Sequence, residues 1–422
     1  MTGKSRRSAG CVLTLNAGLV FLQMSWFGIN TVLAETTITG IKVVGPAVKF
    51  FDHTQKTEDW CFADGTMRAW READGTVNLL MPSPEMYRLR GPDLLHLTFD
   101  PQKIYSAKVS GKQIQENLYN YYPFILGAYS EDGVNFYGLA HTEWYAERLA
   151  GGPGSRGWVT SVNAYVSHDG GASFALNTHN GNHMVTSPGF YWTGSQALAD
   201  GVWKRTWNTF SGLQQITSIF KEGAYYYALG NLYHRDFTRI DPGTGEPAMD
   251  KEGVVIIRTT DFTKPDGWTV WIGGGIYSPI STTPVLKWGT FYPKQGGVSY
   301  ASWNQSIIYD TNAQCWICLF FNKSLNRLCY MMSKTLASPV WSDYAAIAGV
   351  PQVDPLAFWP YATIIDPTCK GYNFGSTGSG RPYLFWSNDG PLVNEHHLMS
   401  NRSDLCYAQL SITYSTPLPR LQ

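Results

Sequence analysis

An excess of charge of either sign is missing from this 422-residue chain: 32 basic side chains balance 32 acidic ones, and charged residues reach only 15%. No basic field is therefore available to grip nucleic acid. Helical periodicity is nearly absent, and no segment after residue 34 has the length and polarity of a membrane span. Disorder is excluded too, because 44% of the chain is hydrophobic and its charge is balanced. Several chemical motifs are lacking. Cys315-Trp-Ile-Cys318 has redox spacing, but it sits in a strand-like run, Gln314 to Phe321, where its sulfurs point to opposite faces. No second Cys-x-x-Cys or His pair completes a zinc site beside it. Gly152-Pro-Gly-Ser and Gly375-Ser-Thr-Gly-Ser-Gly380 lack the P-loop lysine and the dinucleotide-binding spacing. There is no Gly-x-Ser-x-Gly elbow for a nucleophilic serine.

What is abundant is aromatic: 16 Trp, 25 Tyr and 20 Phe make 14% of the chain, with 42 Gly and 23 Pro. Many short strands joined by Gly/Pro turns give this profile, and long helices do not. Residues 1–34 read as a secretory signal. Lys4, Arg6 and Arg7 make a positive start, an apolar stretch follows from Cys11, and Val32-Leu33-Ala34 offers the small residues a signal peptidase reads. Asn16, Gln23 and Ser25 interrupt the stretch and argue against an uncleaved anchor. Cleavage after Ala34 leaves residues 35–422 as a single domain, secreted, periplasmic or extracellular. Its cysteines are Cys61, Cys315, Cys318, Cys329, Cys369 and Cys406, an even number that permits disulfides in an exported protein.

Five segments share one plan: a strand with polar or aromatic residues, a Gly/Asp/Asn turn, an aromatic strand, then a strand ending in a Ser/Thr/Asp turn. The first covers roughly 58–105, with Met67-Arg-Ala-Trp70, the turn Asp74-Gly75 and Val77-Asn-Leu-Leu80. The second runs from Tyr121 through Glu131-Asp-Gly133 and Phe136–His141 to Val162–Ser167. The third begins as one strand, Gln214–Phe220, and passes Tyr225–Leu229 and Val254–Asp261. The fourth takes in Trp303–Tyr309 and Cys315–Phe321, and the fifth Trp359–Ile365, Pro382–Trp386 and Cys406–Ile412. A unit of three or four strands repeated five times predicts an all-β, five-bladed β-propeller. Each unit has about 78 residues against ~40–50 for a minimal blade, so loops take the excess. Segments 146–160 and 178–212 are the longest of them. A two-sheet sandwich would explain the strands but not the recurrence.

Ser167-His-Asp169-Gly-Gly171-Ala-Ser-Phe174 matches Ser-x-Asp-x-Gly-x-x-Phe/Trp, and so resembles the Asp-box turn of sialidases and related propellers. That likeness implies a structural turn between outer strands of a blade. The arginine triad and Phe-Arg-Ile-Pro start of sialidases are not found. The blade pattern more closely resembles the five-bladed propellers of glycoside hydrolase family 43 and its relatives. It is also similar to a group of secreted bacterial propeller proteins, through Tyr129-Ser-Glu-Asp-Gly-Val-Asn-Phe-Tyr-Gly-Leu-Ala-His141-Thr-Glu143-Trp-Tyr145. Family 43 places acids at the openings of its inner strands. Here Gln214-Gln215, Trp303-Asn304-Gln305 and Trp359-Pro360-Tyr361 stand at the third, fourth and fifth openings.

The function expected is that of a secreted glycan-active propeller, a glycoside hydrolase working with two carboxylates at its central mouth. Glu143 is the proton-donor candidate, because flanking rings at Trp144 and Tyr145 would desolvate it. The plainer reading is a loop glutamate paired with Arg148. Asp59, beside Trp60, is the base candidate, and Asp236 in His234-Arg-Asp236 is the reserve. His141, His234, Gln215, Asn304 and Tyr361 are candidates for binding sugar hydroxyls, with Tyr145 beside them, and Trp144, Trp303 and Trp359 for stacking on sugar rings. Two rivals remain: a non-catalytic carbohydrate- or surface-binding propeller, and a polysaccharide lyase in which His141 and Tyr145 act as acid and base. No cofactor is expected, although a propeller axis can hold a structural divalent cation. The partner is a carbohydrate or polysaccharide, with no nucleic acid and no membrane beyond the signal, and the protein is a monomer.

Overall fold

A computed structural model describes residues 35–52, 65–82, 85–106, 108–109, 112–113, 123–145, 158–186, 210–296, 298–299, 303–322, 324–350, 361–389 and 403–415. Regular structure among them is all strand apart from short 3-10 turns such as Pro265–Gly267. No helix among these residues is long and apolar enough to cross a membrane.

Strands β1 (Ile38–Val43) and β2 (Val48–Phe51) both pair antiparallel with the last strand of the chain. A first group follows: β3 (Arg68–Arg71), β4 (Val77–Met81), β5 (Glu85–Gly91) and β6 (Thr98–Ser106), an antiparallel sheet in that order. A small hairpin, β7 (Lys108–Val109) and β8 (Lys112–Gln113), comes next. The second group is β9 (Pro123–Tyr129), β10 (Phe136–Tyr145) and β11 (Trp158–Ser167), edged by β12 (Ala175–Leu176) and β13 (Met184–Thr186). The third is β14 (Phe210–Gln214), β15 (Phe220–Glu222), β16 (Tyr225–Ile240), β17 (Pro247–Thr259), β18 (Thr269–Gly273) and β19 (Ile276–Pro279). Groups two and three form one eleven-stranded sheet, because β11 runs parallel to β14 from Trp158/Phe210 to Thr160/Gly212.

A second small hairpin, β20 (Lys294–Gln295) and β21 (Val298–Ser299), precedes the fourth group. That group is β22 (Trp303–Asp310), β23 (Cys315–Asn322), β24 (Arg327–Ser333) and β25 (Ala345–Ala346). The fifth is β26 (Thr363–Ile365), β28 (Tyr383–Asp389) and β29 (Ser403–Tyr414), completed by β1 and β2, while β27 (Ser376–Thr377) pairs back to β22.

Both faces of these sheets are apolar, which is why the strands read as continuous hydrophobic runs and not as alternating ones. In β23 all eight residues, Cys-Trp-Ile-Cys-Leu-Phe-Phe-Asn, are buried. Cys315, Ile317 and Leu319 enter a core shared with the fifth group, while Trp316, Cys318 and Phe320 enter one shared with the third. The two sulfurs of the Cys-x-x-Cys run therefore face opposite ways, as strand alternation dictates. The pattern repeats around the molecule. Trp70, Leu80, Ile125 and Tyr165 join groups one and two. Leu139, Val162, Leu213 and Val255 join two and three. Met67, Leu79, Phe385 and Leu405 join the fifth group back to the first.

Turn chemistry recurs as well. Between β11 and β12, Ser167 Oγ donates to Asp169 at 2.6 Å and accepts the Gly171 amide at 2.8 Å, while Asp169 accepts the Ser173 amide at 2.9 Å. Phe174 is buried behind this turn. Ser130 and Asp132 build a related turn between β9 and β10, with Asp132 accepting the amides of Val134 and Asn135 at 2.8 and 2.7 Å. The Asn135 side-chain amide, which donates to Asp132 at 2.7 Å, holds the Asp132 carboxyl far below its usual range together with these backbone amides. Short polar side chains at such positions replace the missing backbone partners of the turn.

Two sequence expectations need correction. No disulfide joins the described cysteines, Cys315 among them; Cys318, Cys329, Cys369 and Cys406 are free thiols, and Cys61 lies outside the described residues. Burial pushes the Cys406 thiol up to about 11 and that of Cys329 to about 12. The run from Gln214 to Phe220 is not one strand. Gln215 adopts a left-handed φ of 47° and splits it into β14 and β15.

Candidate active site

The site is best followed from β10. Its residues Leu139, His141 and Glu143 share the face turned to the core between groups two and three. His141 Nε2 lies 3.4 Å from Glu143 Oε1, with side chains 3% and 11% exposed. The imidazole stacks on Phe124 at the start of β9, with ring centres 4.7 Å apart and planes 29° from parallel. Between them Thr142 is buried, and its hydroxyl accepts from Asn163 Nδ2 at 2.6 Å. The acid is thus fixed by a packed ring on one side and a strand ladder on the other.

Three carboxylates are buried among the described residues: Glu143, Asp310 and Asp366. Asp310 accepts the amides of Asn312 and Ala313 and the Tyr414 hydroxyl. Asp366 accepts the hydroxyls of Thr368, Thr377 and Ser379. Both hold turns at the far ends of their strands. Glu143 alone sits within a strand at the opposite end.

Glu143 also marks one row across the eleven-stranded sheet: it lies opposite Thr160, Thr160 beside Gly212, Gly212 opposite Tyr233, and Tyr233 opposite Glu252. Only glycine fits at 212, where φ is +127° and a Cβ would stand 2.4 Å from the Thr160 carbonyl oxygen. His234 and Asp236 continue β16 beyond this row, on the long hairpin with β17. Alternation from Leu232 turns His234 toward the core shared with group two, while a register shift between His234 and Arg235 comes before Asp236. His234 is half-buried, and burial draws its pKa below the usual imidazole value. Asp236 is 29% exposed and lies 3.8 Å from Arg239.

Other candidates divide clearly. Gln214 is buried and Gln215 half-buried at the break in the third group, and Tyr361 is buried on the approach to β26. Trp144 and Tyr145 lie on β10, and Trp303 and Asn304 on β22; only their strand positions belong to the description. Asp59 and Trp359 lie outside the described residues. Among those residues no three His, Cys, Asp or Glu side chains gather to hold a metal ion.

Sequence reasoning passed over three buried polar residues. Arg68 opens β3, and its Nη1 donates to Thr363 Oγ1 at 2.7 Å. Gln305 Nε2, on β22, donates to Asn231 Oδ1, on β16. A cavity of about 640 Å³ lies at the other ends of these strands, lined by Tyr129, Lys221, Glu222, Tyr309, Trp316 and Lys370. Its Glu222 is committed to Trp316 Nε1 at 2.7 Å and Thr335 Oγ1 at 2.8 Å.

No family model matches the chain, and no curated protein matches it. Among solved structures it is similar to a candidate exo-β-1,3-galactanase from Bifidobacterium bifidum, with 11% identity, TM-score 0.47, and coverage of 89% of this chain and 97% of that one. It is also similar to a thermostable family-43 glycoside hydrolase, at 9% identity and TM-score 0.43, covering 85% and 94% of the two chains. A family-62 hydrolase solved with xylotriose gives 10% identity and TM-score 0.42 over 89% and 97%. Likeness at this level leaves the activity of the chain to be argued from its own residues.

Proposed function

We propose that the chain is a secreted, five-bladed β-propeller that hydrolyses glycosidic bonds, with Glu143 as proton donor. The five strand groups and the cores joining each to the next, the fifth back to the first, support the radial arrangement. The observation that carries the chemistry is Glu143 itself, a buried carboxylate within a strand, 3.4 Å from His141. A donor acid gives its proton to the leaving oxygen as the glycosidic bond breaks. The second carboxylate acts as base or nucleophile, about 5–10 Å away. Asp59 is assigned that role, with Asp236, on the long hairpin that continues β16, as the alternative. Residues 1–34 direct export and are then removed.

The binding-only reading also has an observation behind it, since amides and not acids meet at Gln214, Asn231 and Gln305. One screen separates the two. Purified protein is incubated with a panel of polysaccharides and assayed for reducing ends and for retention. Wild type should release product from at least one, and Glu143→Gln and Asp59→Asn should not. Retention without release by wild type leaves a binding propeller.

A further inference from the structure

We infer that Arg68 anchors a carboxylate carried by the ligand, so that the glycan recognised is an acidic one built with uronic acid residues. This inference rests on the glycan reading above and supplies its substrate class.

Arg68 is 7% exposed. Its Nη1 donates to Thr363 Oγ1 at 2.7 Å and to the Met67 carbonyl at 3.3 Å. Its Nε and Nη2 are buried without a partner. Those two nitrogens share one edge of the planar guanidinium, and their N–H bonds leave it side by side. Two carboxylate oxygens match that edge, whereas a single hydroxyl engages only part of it.

Among the described residues no acid compensates the charge, and the one titratable group there that acts on Arg68 is the Cys318 thiol, which burial pushes up and keeps neutral. Burial draws the Arg68 pKa down to about 9, so the side chain remains cationic at neutral pH. A buried cation with no anion is strongly unfavourable, and an incoming carboxylate removes that penalty. The buried acids of the described chain are engaged elsewhere, at the Asp310 and Asp366 turns and beside His141.

Polar atoms on the third and fourth groups are also unpartnered: Gln214 Nε2, Asn231 Nδ2 and Gln305 Oε1. Gln214 lies opposite Asn231 in register, and Gln305 donates to Asn231. Arg68, Gln214, Gln305 and Thr363 belong to the first strands of four of the five groups. A uronate offers what this set lacks, one carboxylate and several hydroxyls.

Titration calorimetry on purified protein carrying Glu143→Gln, which prevents turnover, compares galacturonate and glucuronate oligosaccharides with neutral galactose and glucose oligomers and with acetate. The acidic oligomers should bind at least about tenfold tighter than the neutral ones, as expected for a charge-assisted pair. Arg68→Lys keeps the charge but loses the fork and should abolish the preference. Arg68→Met should do the same while neutral oligomers still bind. A thermal-shift arm on wild type needs no variant: at equal concentration uronate oligomers should raise Tm more than neutral ones. Equal affinities, or a preference that survives both substitutions, overturn the inference. Acetate binding as tightly as the uronates assigns the fork to free carboxylates and overturns it too. The hydrolase reading fails separately. Uronate binding without release of reducing ends by wild type leaves this inference standing. Cleavage of an acidic glycan at an unchanged rate by Arg68→Lys sinks it and leaves the hydrolase.

Discussion

Trp70 offers the sharpest test of how the sheets pack. It is fully buried between groups one and two. Its indole Nε1 donates to the Gly170 carbonyl at 3.0 Å, inside the turn that ends β11, and its ring centre lies 5.9 Å from that of Phe136. Trp70→Ala removes the ring and should cost about 3–5 kcal/mol. That is a large part of the ~5–15 kcal/mol by which a domain is stable. Trp70→Phe keeps most of the apolar body but strands the Gly170 carbonyl, a loss of about 1–3 kcal/mol. Gly171 faces the same ring: at φ +85°, a Cβ there would lie 2.7 Å from the indole nitrogen. Gly171→Ala should therefore destabilise as well, and adding it to Trp70→Ala should cost less than the two separate losses combined, because the clash is gone. Urea unfolding followed by far-UV circular dichroism measures each value. If Trp70→Ala costs no more than Val340→Ala, at a site 81% exposed, the packing described here is wrong.

Other outcomes follow from single contacts. Burial lowers the pKa of both His234 and His183 from 6.5, so the unfolded chain binds more protons than the folded one below that pH. Their contribution to stability is complete above about 6.5 and is lost as pH falls through the folded values. Tm should drop between pH 7.5 and 5.5, less so in His234→Gln and His183→Gln; equal slopes in all three proteins would contradict this. Gly212→Ala should cost about 1–3 kcal/mol or more, read from the urea midpoint, because the Thr160 backbone cannot yield 2.4 Å of contact. Alkylation in denaturant without reductant should label Cys318, Cys329, Cys369 and Cys406; a cross-linked peptide pair in the mass map would refute the thiol assignment.

Local signals were readable before any coordinates. Aromatic and β-branched runs mark β10, β16 and β23, and Asp132 and Asp169 mark their turns, because strand burial and turn amides are decided by neighbours in sequence. His141 and Glu143 could be paired in advance, since residues two apart on a strand share a face. Arg68 could not. An arginine inside a four-residue strand looks like a solvated edge until the fifth group closes over it, bringing Thr363 from 295 positions away. The Gln305–Asn231 contact spans 74 positions and has no local signature either. The break at Gln215 was hidden for a different reason: nothing in Gln-Gln-Ile-Thr announces a left-handed residue.

The role of Glu143 is tested most directly by leaving-group dependence. On the polysaccharide that wild type cleaves, Glu143→Gln should lower kcat by about 10²–10⁴-fold with Tm preserved. On an aryl glycoside of the same sugar, whose phenolate departs without a proton, it should retain most of the wild-type rate. Equal losses on both substrates, or no loss on either, would contradict a proton-donating Glu143.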